Sequence, residues 1–181
     1  MKTPTPNSRS QRGLTLVETS VSLLIGLATL AASLPSFQAA RDKQAIQGVA
    51  AQLETDIQYA RSLAVARNQQ VRISFPPNHA ASCYIVHTGS ASDCSCNAQG
   101  KASCVRGAQV LRSASNVGLT PISVRSNSAS MLVDHTRGTF SPTGTVQVQG
   151  QSGKTLKVIV NITGRVRSCA ATPGLPGFPR C

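Results

Sequence analysis

Residues 12–34 read RGLTLVETSVSLLIGLATLAASL, and from Leu14 to Leu34 the run carries a single charge, Glu18, in 21 residues. At about 1.5 Å per residue in a helix, that run is long enough to cross a hydrocarbon core of about 30 Å. Ahead of it, MKTPTPNSRSQRG holds Lys2, Arg9 and Arg12 without an acid, and Pro4 and Pro6 work against a stable helix. Residues 1–13 therefore read as a leader rather than a domain. Positive charge before the apolar run keeps the short N-terminus cytoplasmic and sends the bulk of the chain outward. The competing reading is a secretory signal cut near residues 30–33, LAAS. Against it stands Glu18, because an ionised carboxylate in hydrocarbon costs at least about 2.5 kcal/mol and would be odd in a disposable segment. A retained Glu18 needs a partner.

The chain has 181 residues, 18 Lys plus Arg against 6 Asp plus Glu, for a formal charge of +12. That length allows one domain and an appendage. Aromatic residues make up 3% and Trp is absent, a composition suited to short strands and tight turns rather than a large aromatic core. His79, His87 and His135 are scattered, and no HExxH, GxSxG, GxxxxGK or GxGxxG pattern occurs. No catalytic residue, cofactor or metal is expected.

Beyond the apolar run, Ile46, Val49, Leu53, Ile57, Ala60 and Ala64 recur at spacings of three and four, with Arg41, Asp42, Glu54 and Arg61 on other faces. This is an amphipathic stripe that faces a core. One helix from Leu14 to about Asn68 is expected, about 80 Å long and kinked or loosened at Pro35. Short strands follow at Val71–Phe75, Cys83–His87, Gln109–Leu111, Gly118–Val124, Ser130–Asp134, Thr145–Gln149 and Thr155–Ile162. Pro76-Pro77, Gly89, Pro121, Gly138, Pro142, Gly144 and Ser152-Gly153 punctuate them as in antiparallel sheets. The expected class is α+β, a long N-terminal helix packed on an antiparallel β-sheet domain.

Six cysteines, Cys83, Cys94, Cys96, Cys104, Cys169 and Cys181, are an even number in an exported chain and read as disulfides. Clustering pairs Cys169 with Cys181, across a Pro/Gly-rich loop with no core of its own, and leaves the other four to pair in any of three ways. Zinc is the alternative for the cluster of four, but C-x-C spacing is tighter than the usual two to four intervening residues, and the exterior is oxidising.

Without residues 1–13 the charge is 15 minus 6, or +9, and it is unevenly placed. After Asp134 no acid occurs, whereas Arg137, Lys154, Lys157, Arg165, Arg167 and Arg180 do. This asymmetry points to a polyanion partner. In an extended Gly164-Arg165-Val166-Arg167, the two arginines lie on one side and Val166 on the other, while Gly164 permits a turn. The guanidinium fork suits phosphate oxygens. A solvated strand end that discourages edge pairing is the structural alternative. With few aromatics to stack bases, duplex backbone contact is the expected mode, and about three neutralised phosphates give a log affinity against log salt slope of about −2.7.

The motifs also resemble a family. RGLTLVE, ahead of an apolar helix, resembles the processing site of type IV prepilins and type II secretion pseudopilins, with Leu14 where the family usually has Phe. The resemblance implies that a membrane prepilin peptidase cuts after Gly13 and methylates the amino group of Leu14, and that Glu18 pairs with the terminal ammonium of a neighbouring subunit. FSPTG at 140–144 and TLKVIVNITGRVR at 155–167 resemble the C-terminal part of the GspH/FimT group of minor pilins and pseudopilins, and Gly164–Arg167 matches the GRxR motif of its FimT-like members. From this follow a leader at 1–13, a transmembrane and filament-core helix at 14–40, a pilin globular domain at 41–168 and a disulfide-closed basic tail at 169–181. The implied function is a minor pilin that binds double-stranded DNA through Gly164, Arg165 and Arg167 with Lys154, Lys157 and Arg180, supporting natural transformation. The alternative is a structural minor pilin or GspH-like pseudopilin that primes filament assembly. The implied setting is the inner membrane, with a periplasmic globular domain that joins other pilin subunits in a pilus or pseudopilus. Mass spectrometry of the membrane-extracted protein should show a chain starting at Leu14; a start at Met1 would exclude the pilin reading.

Overall fold

The computed structural model describes residues 13, 15–75, 82–105, 107–115 and 122–181, the side chains of 32–35 left aside. The chain divides into two units, Met1–Gln38 and Ala39–Cys181. In the first, helix α1 (Leu16–Arg67) begins behind Thr15, whose hydroxyl accepts the Glu18 N–H at 3.3 Å. Thr15-x-x-Glu18 thus follows the capping-box pattern and puts the carboxylate in the first turn, where the helix dipole favours an anion. Leu16, Val17, Leu23, Leu24, Ile25 and Leu30 are exposed. Thr19, Ser20, Ser22 and Thr29 donate their hydroxyls to carbonyls three or four residues back, so these hydroxyls are satisfied inside the helix. The helix is long and apolar enough to cross a membrane. It runs on through Pro35 rather than ending there. Gly13 is exposed outside the helix, and Leu14 lies outside the described residues.

In the second unit α1 ends in a Schellman motif. Asn68 takes a φ of 50° and the Gln69 N–H reaches the Ala64 carbonyl at 3.1 Å. Eleven strands follow among the described residues: β1 Val71–Ser74, β2 Cys83–His87, β3 Cys94–Cys96, β4 Ala102–Cys104, β5 Val110–Ser115, β6 Ser123–Ser126, β7 Ser130–Val133, β8 Phe140–Ser141, β9 Gly144–Gln149, β10 Thr155–Val160 and β11 Val166–Ala170. They form antiparallel sheets in the orders β5-β2-β1-β7-β8, β11-β10-β9-β6 and β3-β4. Ile46, Ala50, Leu53, Ile57, Ala60 and Ala64 are buried, and one core joins this stripe to Val71, Ile73, Tyr84, Met131, Val133 and Phe140 of the first sheet and Val146, Val148, Leu156, Val158 and Val160 of the second. Val49 stands at the border of the stripe, and Ala50 takes the central position.

Several polar helix residues beside the stripe bond to the sheets and their turns. Asp42 is buried and accepts the Gln151 N–H at 3.0 Å and both the N–H and hydroxyl of Ser152. Glu54 accepts the Ser168 hydroxyl, Gln58 donates to the Gly164 carbonyl at 3.1 Å, and Arg61 donates to the Gly138 carbonyl at 3.0 Å. Asp56, 1% exposed, accepts the Tyr84 hydroxyl at 2.7 Å and Arg112 at 2.6 Å, and Arg112 lies 4.3 Å above the Tyr59 ring centroid. A buried carboxylate is tolerable because these partners replace water. Burial would raise the Asp42 carboxyl, but the bonds from Ser152 and Gln151 outweigh it and hold its pKa below the ordinary value.

The expected strands form, β2 with the expected ends and the others with shifted ones, and four more appear: β3, β4, β8 and β11. Expected residues 118–121 lie outside the described residues. All six cysteines are bridged, Cys83 to Cys96, Cys94 to Cys104 and Cys169 to Cys181. This settles the three-way choice and leaves no thiolate for zinc. Cys83, Ile85 and Cys94 form a second small core under the β3–β4 hairpin. Beside it His87 is fully buried, its Nδ1–H donating to the Thr88 carbonyl and its Nε2 accepting from the Ser74 hydroxyl, both at 2.8 Å.

Burial lowers the His87 pKa from 6.5, with Arg72 adding to the effect against opposing contributions from Thr88 and Asp93. Below about pH 6.5 the unfolded chain binds a proton that the folded chain refuses, so stability falls as the pH falls. Denaturant titrations between pH 7 and 5 should show this loss in the wild type, with His87→Gln showing a flatter profile; equal profiles would remove His87 as the cause.

Candidate nucleic-acid interface

The second sheet has one face on the helix and one on solvent. Residues directly opposite in an antiparallel pair share a face. Val124, Val146, Val148, Leu156, Val158, Val160 and Ala170 belong to the core. Register therefore puts their sequence neighbours outside: Arg167 opposite Ile159 opposite Thr145, and Cys169 opposite Lys157 opposite Gln147 opposite Arg125. Arg165 and Arg167 are exposed while Val166 between them packs against the core, so both arginines project to the solvent side.

The turn between β10 and β11 explains why Gly164 precedes them. The Asn161 side-chain oxygen accepts the Arg165 N–H at 2.9 Å, and the Gly164 N–H reaches the Asn161 carbonyl at 3.0 Å. Gly164 is buried at a φ of 77°, and a Cβ there would sit 3.1 Å from Arg61 and from the Phe140 ring. Its contribution is the turn and the close approach to α1, not a surface contact.

The tail folds over the β11 edge. The Ala170 N–H reaches the Pro179 carbonyl at 2.8 Å, the Cys181 N–H reaches the Ala170 carbonyl at 3.2 Å, and a bridge pairs Ala170 with Arg180. Leu175 is buried in the main core and Phe178 packs against it, which corrects the expectation of a loop without a core. Two depressions open beside the Cys169–Cys181 bridge. One, of about 500 Å³, is lined by Ile159, Arg167, Ser168, Pro179 and Arg180; the other, of about 340 Å³, by Lys157, Ala170, Thr172, Pro173 and Arg180.

Arg165, Arg167, Lys157 and Arg180 are thus brought onto one surface. Lys154 is not. It lies past the opposite end of β10, about 20 Å along the strand direction from Arg165, half-buried near Gly174, and its charge helps hold down the Asp42 pKa. Arg125 of β6 joins the face instead. The alternation in Ser123-Val124-Arg125-Ser126 is the sequence signal for it, although it precedes the acid-free tail. The acids of this unit are engaged elsewhere: Asp42, Glu54 and Asp56 on α1, Asp93 with the Ser90 N–H at 2.8 Å, and Asp134 with the Thr136 hydroxyl and the N–H groups of Arg137 and Thr136, which hold its pKa at about 2. Among the described residues none of Arg125, Lys157, Arg165, Arg167 and Arg180 makes an ion pair.

A long apolar N-terminal helix whose second half seals two antiparallel sheets, with a disulfide-closed basic end, defines a pilin-like subunit. Residues 49–164 match the family described as type II transport protein GspH. The chain belongs to that family of minor pilins and pseudopilins, and membership implies assembly with other pilin subunits. Two crystal structures of the type IV minor pilin FimU from Pseudomonas aeruginosa share the fold. One has a TM-score of 0.52 at 16% identity, covering 70% of this chain and 89% of that one; the other has 0.50 at 18%, covering 71% and 98%. No curated protein sequence matches the chain.

Gly164→Ala should destabilise the protein by about 1 to 3 kcal/mol, from the left-handed backbone and the crowding against Arg61 and Phe140. Urea denaturation measures it, and a loss under about 0.5 kcal/mol would remove Gly164 as a constraint on the turn.

Proposed function

We propose that this minor pilin binds double-stranded DNA, without regard to sequence, on the outer face of its C-terminal sheet and so supports DNA uptake in natural transformation. The observation that carries the reading is the convergence of Arg125, Lys157, Arg165, Arg167 and Arg180 on one face without an acid among them. Guanidinium groups projecting from a rigid sheet meet phosphate oxygens with little ordering cost, and a contact made only to backbone phosphate carries no sequence information. Gly164 serves by its turn, and Lys154 stands apart from the contact.

In this reading the prepilin peptidase cuts after Gly13, Leu14 becomes the methylated N-terminus, and Glu18 pairs with the ammonium of a neighbouring subunit. The apolar half of α1 lies in the inner membrane before assembly, with the globular unit in the periplasm, and enters the filament core afterwards. The second reading, a subunit that only primes assembly of a pilus or pseudopilus, is favoured by the secretion protein after which the family is described. It needs the helix but not the basic face.

DNA binding by the full chain in an uncharged detergent, measured across a salt series, separates the two. Arg165→Gln/Arg167→Gln should make the log–log slope shallower by about 1.8, two phosphate contacts at about 0.9 each. Equal slopes, or no binding by the wild type, would favour the assembly reading.

A further inference from the structure

The end of the tail is held differently from the rest of it. Leu175 and Phe178 anchor the strap to the main core, but the apolar anchors stop there. Pro179, Arg180 and Cys181 are exposed. They are kept against β11 by the Ala170 N–H to the Pro179 carbonyl at 2.8 Å, the Cys181 N–H to the Ala170 carbonyl at 3.2 Å, and the bridge to Cys169. Exposed residues held by so few bonds open readily when nothing else restrains them.

Arg180 lies between those two bonds and lines both depressions. It lines one with Arg167 and Ile159 and the other with Lys157. Each bay therefore presents two cations, with Arg180 common to both. Ile159 and Lys157 are two residues apart on β10, about 6.6 Å along the strand, so the bays follow one another along a line. Their apolar lining, Ile159 and Pro179 in one and Pro173 in the other, suits a sugar edge beside a phosphate.

We propose that the Cys169–Cys181 disulfide is the positioning element of the polyanion site: it pins Arg180 between Arg167 and Lys157 and so builds a two-bay groove that takes neighbouring phosphates of one DNA strand. This rests on the DNA-binding reading above. Without the disulfide, Arg180 leaves the shared wall and each bay keeps a single cation. The disulfide thus acts through Arg180 and makes no contact with phosphate itself.

The test is a double-mutant cycle on the full chain in uncharged detergent, with a 30-base-pair duplex across a salt series. Wild type, Arg180→Gln, Cys169→Ser/Cys181→Ser and the triple variant are compared, thermal melting confirming that the globular unit stays folded on Leu175 and Phe178. Arg180→Gln and the cysteine variant should each make the slope shallower by about 0.9, and the triple variant should lose no more than either. A wild-type slope in the cysteine variant, or additive losses in the triple, would overturn the proposal and leave the DNA-binding reading intact. Absence of salt-dependent binding by the wild type would overturn both. Should the cysteine variant not fold, an unchanged slope in Arg180→Gln, whose disulfide is intact, is enough to overturn the groove.

Discussion

One face of one helix seals two sheets. Ile46, Ala50, Leu53, Ile57, Ala60 and Ala64 form the shared seam of the globular unit, and strands of both larger sheets close onto it. Three of the six are alanines, which let the helix backbone approach while Leu and Ile fill the space between the sheets. At the borders of the seam the helix changes its chemistry rather than turning to water. Asp42, Gln58 and Arg61 take up backbone groups at the turns of the sheets, while Glu54 and Asp56 accept from the side chains of Ser168 on β11 and of Tyr84 and Arg112 on β2 and β5. The turn carrying Gly164 is therefore fixed from below, and the arginines after it inherit their direction from the helix.

The helix and its stripe are legible in the sequence because a period of 3.6 persists over many residues. The polar border is not. Asp42, Glu54 and Arg61 look like any charged face, since polarity alone does not say whether the partner is water or the N–H and C=O groups at the end of a sheet. Strand β11 was hidden for a related reason. Its inward positions are Val166, Ser168 and Ala170, and the middle one meets Glu54 instead of an apolar neighbour, so no apolar alternation announces a strand. The interface was half legible: the tail charge marked the region, but only register separates Lys154 from Lys157 or brings Arg125 across from β6.

The disulfides do work that so small a core cannot. Three-residue strands such as β3 and β4 are too short to hold a hairpin by hydrogen bonds alone. The bridge between their opposed Cys94 and Cys104, and the second from Cys83 on β2 to Cys96, give this hairpin a cystine-rich core in place of an aliphatic one. The tail uses both devices in sequence, apolar anchors first and a covalent closure last. In a chain with 3% aromatic residues, crosslinking replaces burial where the chain runs out of large side chains.

Charge segregation follows from the same seam. Carboxylates are useful where backbone N–H groups and hydroxyls need acceptors, and in this unit those places are the helix border, the base of the hairpin and the β7–β8 turn. Three of the five Asp and Glu side chains of the globular unit lie on α1, Asp42 and Glu54 meeting the second sheet and Asp56 the first. Arginine and lysine have no comparable internal role on β10, β11 and the tail, so they remain outside, unneutralised and on a rigid support. A face made in this way would, on the proposed reading, select for charge and spacing rather than base identity, since among the described residues it carries no aromatic platform. On the proposed reading, affinity per subunit would be set by a handful of phosphate contacts, so occupancy under cellular salt would depend on how many such faces meet one polyanion rather than on any single subunit.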